Sequence, residues 1–179
     1  DKVGLIAFAG SAVLLSPLTG DKSALKMFID SLSPEAVTTQ GTDFKKALNE
    51  AYLALNRGGV ESTEQEKITR VVVVASDGEE NEKGGLEEAR KIAQEGIRIF
   101  TLGFGTEQGG QIPVRDKTGN LVGYKKDRSG QPVVTRSTGK ALEELAEAGQ
   151  GSYLHVTFGG DAVQTLRAGI DKLQRAEFD

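Results

Sequence analysis

The run Val71-Val72-Val73-Val74-Ala75, which passes directly into Ser76-Asp77-Gly78, constrains this chain more than any other stretch. A continuous β-branched segment without polar alternation predicts a strand covered on both faces, as in a parallel α/β sheet. Ligands of such sheets bind just beyond the carboxyl ends of the strands. An acid at that place, beside a glycine that lets backbone come close, can bind a hard cation. An ordinary strand-to-loop junction with solvated acids is the plainer alternative. Two more carboxylates, Glu79 and Glu80, follow directly.

The surrounding pattern supports the α/β assignment. Val3–Ala9 reads as a strand, and Ala12–Ser16 as a second one stopped by Pro17. Asp21 can cap a helix over Lys22–Leu32, with Leu25, Phe28, Ile29 and Leu32 on one face. Phe44–Asn56 repeats apolar residues at helical spacing and is closed by Gly58-Gly59. Val60–Lys67 reads as a solvated loop. After the Val71–Ala75 strand, the loop Glu79–Gly85 precedes a helix over Leu86–Gln94, and Ile97–Leu102 forms another strand. Helix Lys140–Ala148, strand Ser152–Thr157 and helix Ala162–Ala176 finish the chain. In the last helix Val163, Leu166, Ile170 and Leu173 are expected to face inward. Strands alternating with helices of this length predict a doubly wound, mainly parallel sheet flanked by helices. Residues Thr106–Ser137 break the rhythm. Turn signals at Lys117–Asn120 and Asp127–Gly130, with short strands at Leu121–Tyr124 and Pro132–Thr135, predict a β-hairpin insert near 107–136. The 179 residues favour a single domain.

Composition excludes several function classes. There is no cysteine, so thiolate chemistry and disulfides are absent. His155 is the only histidine, which makes a Ser–His–Asp, Cys–His or histidine-rich metal site hard to build. It lies in an apparent strand, opposite its apolar neighbours, and reads as structural or solvated. A net charge of -4 argues against a nucleic-acid footprint, and Lys45-Lys46 and Lys125-Lys126 are too short to alter that. Gly103-x-Gly105 followed by Gly109-Gly110 misses the dinucleotide spacing, and no phosphate-binding loop of the GxxxxGK[ST] kind occurs. The pairs Glu79/Glu80 and Glu143/Glu144 read as solvated faces. No apolar run approaches the roughly 18–20 residues of a membrane span.

Two features converge. Gln40-Gly41-Thr42-Asp43 precedes a helix, and Ser76-Asp77-Gly78 ends a strand. A Thr42 hydroxyl and an Asp77 carboxylate at one sheet edge suit Mg²⁺ or Mn²⁺, which prefer oxygen ligands and retain waters. For Thr42, helix capping is the bland alternative.

Taken together, Asp1–Phe8, Pro17-Leu18-Thr19-x-Asp21, Gly41-Thr42-Asp43, Val71–Gly78 and Ile97–Gly105 resemble a von Willebrand factor A (integrin I-like) domain, in the family's order. The insert from Gln111-Ile112-Pro113 to Val133 narrows the resemblance to bacterial aerotolerance BatA/BatB-like proteins. The resemblance implies a Rossmann-like fold and a metal-ion-dependent adhesion site (MIDAS) with Thr42 and Asp77 as metal ligands. It implies a protein-binding module, not an enzyme. A partner's acidic side chain would complete the coordination, and loop closure would shift the last helix. It further implies a periplasmic domain of an inner-membrane protein, anchored only through segments outside this sequence. The family's DxSxS motif is missing: Asp21-Lys22-Ser23 imitates its start, but Leu25 stands at the second serine position and no strand precedes it. The resemblance therefore implies that the first strand and first helix lie upstream of Asp1. Without that central strand the fold should be unstable, rearranged, swapped between chains or completed by a separate segment. Two alternatives from other classes are a Mg²⁺-dependent phosphoryl-transfer enzyme built on Asp77-Gly78-Glu79-Glu80 and a metal-independent scaffold domain.

Overall fold

The computed structural model describes residues 1–33, 36–58, 68–78, 84–105, 110–111, 113–115, 121–124, 130–131, 134–135, 139–156 and 161–176. In chain order the elements are β1 (Val3–Phe8), β2 (Ala12–Thr19), α1 (Lys22–Asp30), α2 (Phe44–Gly58), β3 (Arg70–Ser76), α3 (Gly85–Gln94), β4 (Ile97–Phe104), β5 (Gly110–Gln111), β6 (Pro113–Arg115), β7 (Leu121–Tyr124), β8 (Val134–Thr135), α4 (Lys140–Ala148), β9 (Tyr153–Val156) and α5 (Ala162–Ala176). The expected α/β, doubly wound architecture is what forms. The parallel sheet has the order β3-β4-β9.

Its core explains why these segments fold as they do. Along β4 the side chains of Ile97, Ile99 and Thr101 alternate onto one face and are fully buried. There they meet Phe44 and Leu48 of α2, Ala89 and Ile92 of α3, and Leu142 and Leu145 of α4. The one polar member of that row, Thr101, donates its hydroxyl to the Leu142 carbonyl at 2.8 Å, which offsets its desolvation. On the opposite face Phe100 is buried beside Gly169 of α5, where an added Cβ would lie 3.1 Å from the ring. Helices thus cover both faces of β4.

The four-valine strand departs from expectation. Val74 is buried but Val73 is 41% exposed, so β3 is not covered on both faces. Only β4 pairs with it among the described residues, and β1 and β2 form a separate antiparallel sheet. The sheet is therefore split, with α2 bridging the parts: Phe44 sets its ring 5.9 Å from that of Phe8, tilted by 55°, and shares the core with Val74.

Three local expectations need correction. Pro17 does not stop β2, which continues to Thr19. The strand lies at a sheet edge, and the ladder is irregular between Val3 and Ile6, so a residue without an N–H is tolerated. In the insert, Leu121–Tyr124 pairs with Pro113–Arg115, and Val134–Thr135 with Gly110–Gln111, both antiparallel. The two short ladders are nested, whereas the expectation was a single hairpin with strands at Leu121–Tyr124 and Pro132–Thr135. On the helices, α1 buries none of its residues, leaving Ile29 exposed, and Val163 of α5 is 75% exposed, not inward. Helical spacing reports a shared face but not whether another element covers it. The Val60–Lys67 loop, the Lys117–Asn120 turn and most of the Asp127–Gly130 turn lie outside the described residues.

Candidate functional site: one rim of the split sheet

Two connections open at the same end of the strands. The first is the loop before α2. Gly10, just past β1, donates its N–H to the Thr39 carbonyl at 2.9 Å, and the Asp43 N–H donates to the Ala9 carbonyl at 2.9 Å. A Cβ on Gly10 would stand 2.2 Å from the Gln40 carbonyl oxygen, so only glycine permits this close approach. Residues 39–43 are thereby fixed to the carboxyl end of β1. From there α2 runs back along the strands, and near its other end the Asn56 side chain accepts from the Arg70 guanidinium at 3.3 Å. Arg70 begins β3. Hence β1 and β3 point the same way, and Ser76-Asp77 lies at the end where Thr42 lies. A second tie agrees: Gly84, which leads into α3 after β3, sits against the Lys45 side chain in the first turn of α2.

Within this rim Thr42 is half-buried and Asp77 exposed. Ser76 accepts the Gly78 N–H on its hydroxyl at 3.1 Å, forming the turn that presents Asp77. Gly78 has a φ of 84°, a left-handed conformation that favours glycine. Glu79 and Glu80 lie outside the described residues. Among the described residues no three His, Cys, Asp or Glu side chains gather in a way that could hold a metal ion. The oxygen donors of Thr42 and Asp77 suit a hard cation in kind, but two are few for Mg²⁺, which sheds its waters reluctantly.

Capping of α2 falls to Asp43, not to Thr42. Asp43 is 6% exposed, and its carboxylate accepts the Lys46 N–H at 3.0 Å and pairs with the Lys46 ammonium at 3.0 Å. That ammonium also donates to the Gly10 carbonyl at 2.8 Å, joining helix, loop and β1. Burial pushes the Asp43 carboxyl up, but the backbone N–H and ammonium of Lys46, helped by the Lys45 N–H, outweigh it and hold the group below its ordinary value. Sequence reading missed this anchor; its signal was Asp-x-x-Lys at a helix start.

Other candidates separate from the rim. Asp21 accepts the N–H groups of Ser23 and Ala24 and caps α1. It follows Thr19, which pairs with Val3 at the start of β1, so it lies at the opposite end from Thr42. Its likeness to a DxSxS start is a capping sequence and nothing more. His155 is exposed and lies 3.3 Å from the Tyr153 hydroxyl through Nδ1. Glu143 and Glu144 are both exposed on α4, as expected of a solvated face.

Known proteins agree with this architecture. The family model of the von Willebrand factor type A domain matches residues 1–80. An aerotolerance-related membrane protein from Bacteroides fragilis is 35% identical, with a TM-score of 0.80 over 96% of this chain and 80% of that one. The conserved hypothetical protein BatB from Bacteroides thetaiotaomicron is also 35% identical, with a TM-score of 0.78 over 100% of this chain and 80% of that one. A UPF0353 protein of Mycolicibacterium paratuberculosis is 29% identical over 97% of this chain and 47% of its own length. The chain thus spans about half the length of the curated relatives it matches. No described helix is long and apolar enough to cross a membrane. With its split α/β sheet, its nested insert and these neighbours, the chain belongs to the von Willebrand factor type A family, in the Bat-like group.

Proposed function

We propose that this domain is a protein-binding module, not an enzyme, that uses a divalent-cation site of the MIDAS type at the rim described above. Thr42 and Asp77 are its ligands from this chain, the hydroxyl directly or through water and the carboxylate through water. Mg²⁺ or Mn²⁺ fits their hard oxygen donors. When bound, the cation offers an open coordination position to an acidic side chain of a partner protein. Gly10 and the Asp43–Lys46 clamp hold the Thr42 loop in place, and the Ser76–Gly78 turn presents Asp77. Remaining oxygen ligands come from residues beyond Thr42 and Asp77. The setting we infer is a periplasmic domain of a bacterial inner-membrane protein, anchored by segments outside residues 1–179.

One observation supports this reading above the others: two separate connections, each bearing an oxygen donor, open at a single end of the strands. Titration of Mn²⁺ into the longest natural polypeptide that carries these residues tests it. Thr42→Ala and Asp77→Ala are each expected to weaken binding by about 10-fold or more, since each removes an oxygen ligand or a bound water's anchor. Thr42 is half-buried and Asp77 exposed, so a melting curve of each variant separates loss of a ligand from loss of the fold. Unchanged Mn²⁺ affinity in both variants, or partner binding that is equal in Mg²⁺ and in EDTA, would remove the proposal.

A further inference from the structure

The insert carries an exposed apolar ribbon that the cation rim does not use. β6 and β7 form a two-stranded antiparallel ladder, with Pro113 opposite Tyr124, Val114 opposite Gly123 and Arg115 opposite Leu121. Among the described residues these strands pack chiefly on each other. Val114, Leu121, Val122 and Tyr124 are 45% to 67% exposed. Val114 and Tyr124 belong to successive rungs, so their side chains leave the ribbon from opposite faces. Apolar groups are therefore open on both faces of a ribbon one layer thick, which is unusual for a surface that meets only water. The sequence of this stretch is also basic. From Arg115 to Arg128 it holds five Lys or Arg residues and two Asp, in a chain whose net charge is -4.

We propose that this ribbon docks on an anionic lipid surface, with Val114, Leu121, Val122 and Tyr124 at headgroup depth and the positive charge of the stretch drawn to the lipid phosphates. A bilayer fits these features better than a protein partner does. A flat protein surface covers one face of a ribbon and leaves the other in water, whereas lipid closes around both. A tyrosine, apolar in its ring and polar at its hydroxyl, suits the interface. The polar residues 116–120, which join the two strands in sequence, are at home among headgroups and costly to place in hydrocarbon. The proposal rests on the membrane setting given above for this domain, and on no property of Thr42 or Asp77.

Hydrogen exchange on the longest natural polypeptide is the test, with the protein on vesicles of phosphatidylcholine alone or of phosphatidylcholine and phosphatidylglycerol in equal parts. Amides of residues 113–115 and 121–124 are expected to exchange at least about 10-fold more slowly on the anionic vesicles, and the difference should shrink in about 1 M salt, which screens the charge. Val122→Asp, at the most exposed of the four apolar positions, should abolish the slowing while the β4 amides stay protected. Equal exchange on both vesicles would overturn the proposal. Slowing that needs no lipid and grows with protein concentration would assign the ribbon to a protein contact and overturn it as well. Flotation with the phosphatidylcholine vesicles reports the membrane setting separately. A polypeptide that floats there while its ribbon ignores lipid charge keeps the setting and loses the docking. One that does not float there, yet slows on anionic vesicles, loses the setting and keeps the docking.

Discussion

Replacing Asp43 probes a buried charged anchor of the rim. Its carboxylate does two things. It caps α2 through the Lys46 N–H at 3.0 Å, and it pairs with the Lys46 ammonium at 3.0 Å. Loss of an N-cap costs about 1 kcal/mol. The ion pair is discounted because the Lys46 side chain is 57% exposed, leaving about 1 kcal/mol at most. Asp43→Ala should therefore destabilise by about 2 kcal/mol, and Asp43→Asn, which keeps a capping oxygen, by about 1 kcal/mol or less. For a domain of this size that corresponds to a fall in Tm of roughly 4–8 °C for the alanine variant. The pH dependence separates the two parts. A carboxyl held below its ordinary value in the fold stabilises fully above the unfolded pKa of about 3.9, and that stabilisation fades as pH falls through the lowered value. Thermal unfolding of wild type and Asp43→Asn, from pH 6 down to the lowest pH at which both fold, should show a gap that closes on acidification. A gap that stays constant, or an alanine variant within about 0.5 kcal/mol of wild type, would refute the assignment of Asp43 as a charged cap.

Four further outcomes follow from the packing. Leu48→Ala, at a fully buried position where α2 meets the sheet, should cost about 2–5 kcal/mol in urea unfolding. Thr101→Val keeps the shape but removes the 2.8 Å hydrogen bond to the Leu142 carbonyl, and should cost about 1 kcal/mol by the same measurement. Gly151→Ala would place a Cβ 2.1 Å from the Ile99 carbonyl oxygen, so a backbone shift is forced and about 1–3 kcal/mol or more should be lost. Val163→Ser, by contrast, lies on the open side of α5 and should leave Tm within about 1–2 °C.

The fold was legible in sequence wherever one segment carried its own covering pattern. Phe44, Ala47, Leu48 and Ala51 repeat at helical spacing and are all buried in α2. Ile97–Leu102 reads as a strand and forms most of β4, where Ile97, Ile99 and Phe100 are buried from the two faces. Legibility failed where burial depends on a distant element. The Val71–Ala75 run looks identical whether or not something covers its second face, and Val73, 41% exposed, has no cover there among the described residues. The apolar side of α1 carries the same ambiguity, and none of its residues is buried among the described residues. Strand pairing in the insert could not be read because residues of Leu121–Tyr124 fit several partners equally well at such short lengths. At the rim, residue types pointed to Thr42 and Asp77, and the glycine at position 10 explains the loop's placement. The Asp43–Lys46 clamp was overlooked because its lysine was weighed only as surface charge.

Pro17 gives the small antiparallel sheet a polarity. It stands in the outermost strand, exposed, and has no N–H to offer a newcomer. Growth of hydrogen-bonded ladders outward from β2 is therefore discouraged by the covalent structure itself, as edge prolines do in proteins that avoid sticking to one another. An exposed proline in a two-stranded ladder disfavours regular pairing of that strand with a second molecule, because one donor of the row is absent.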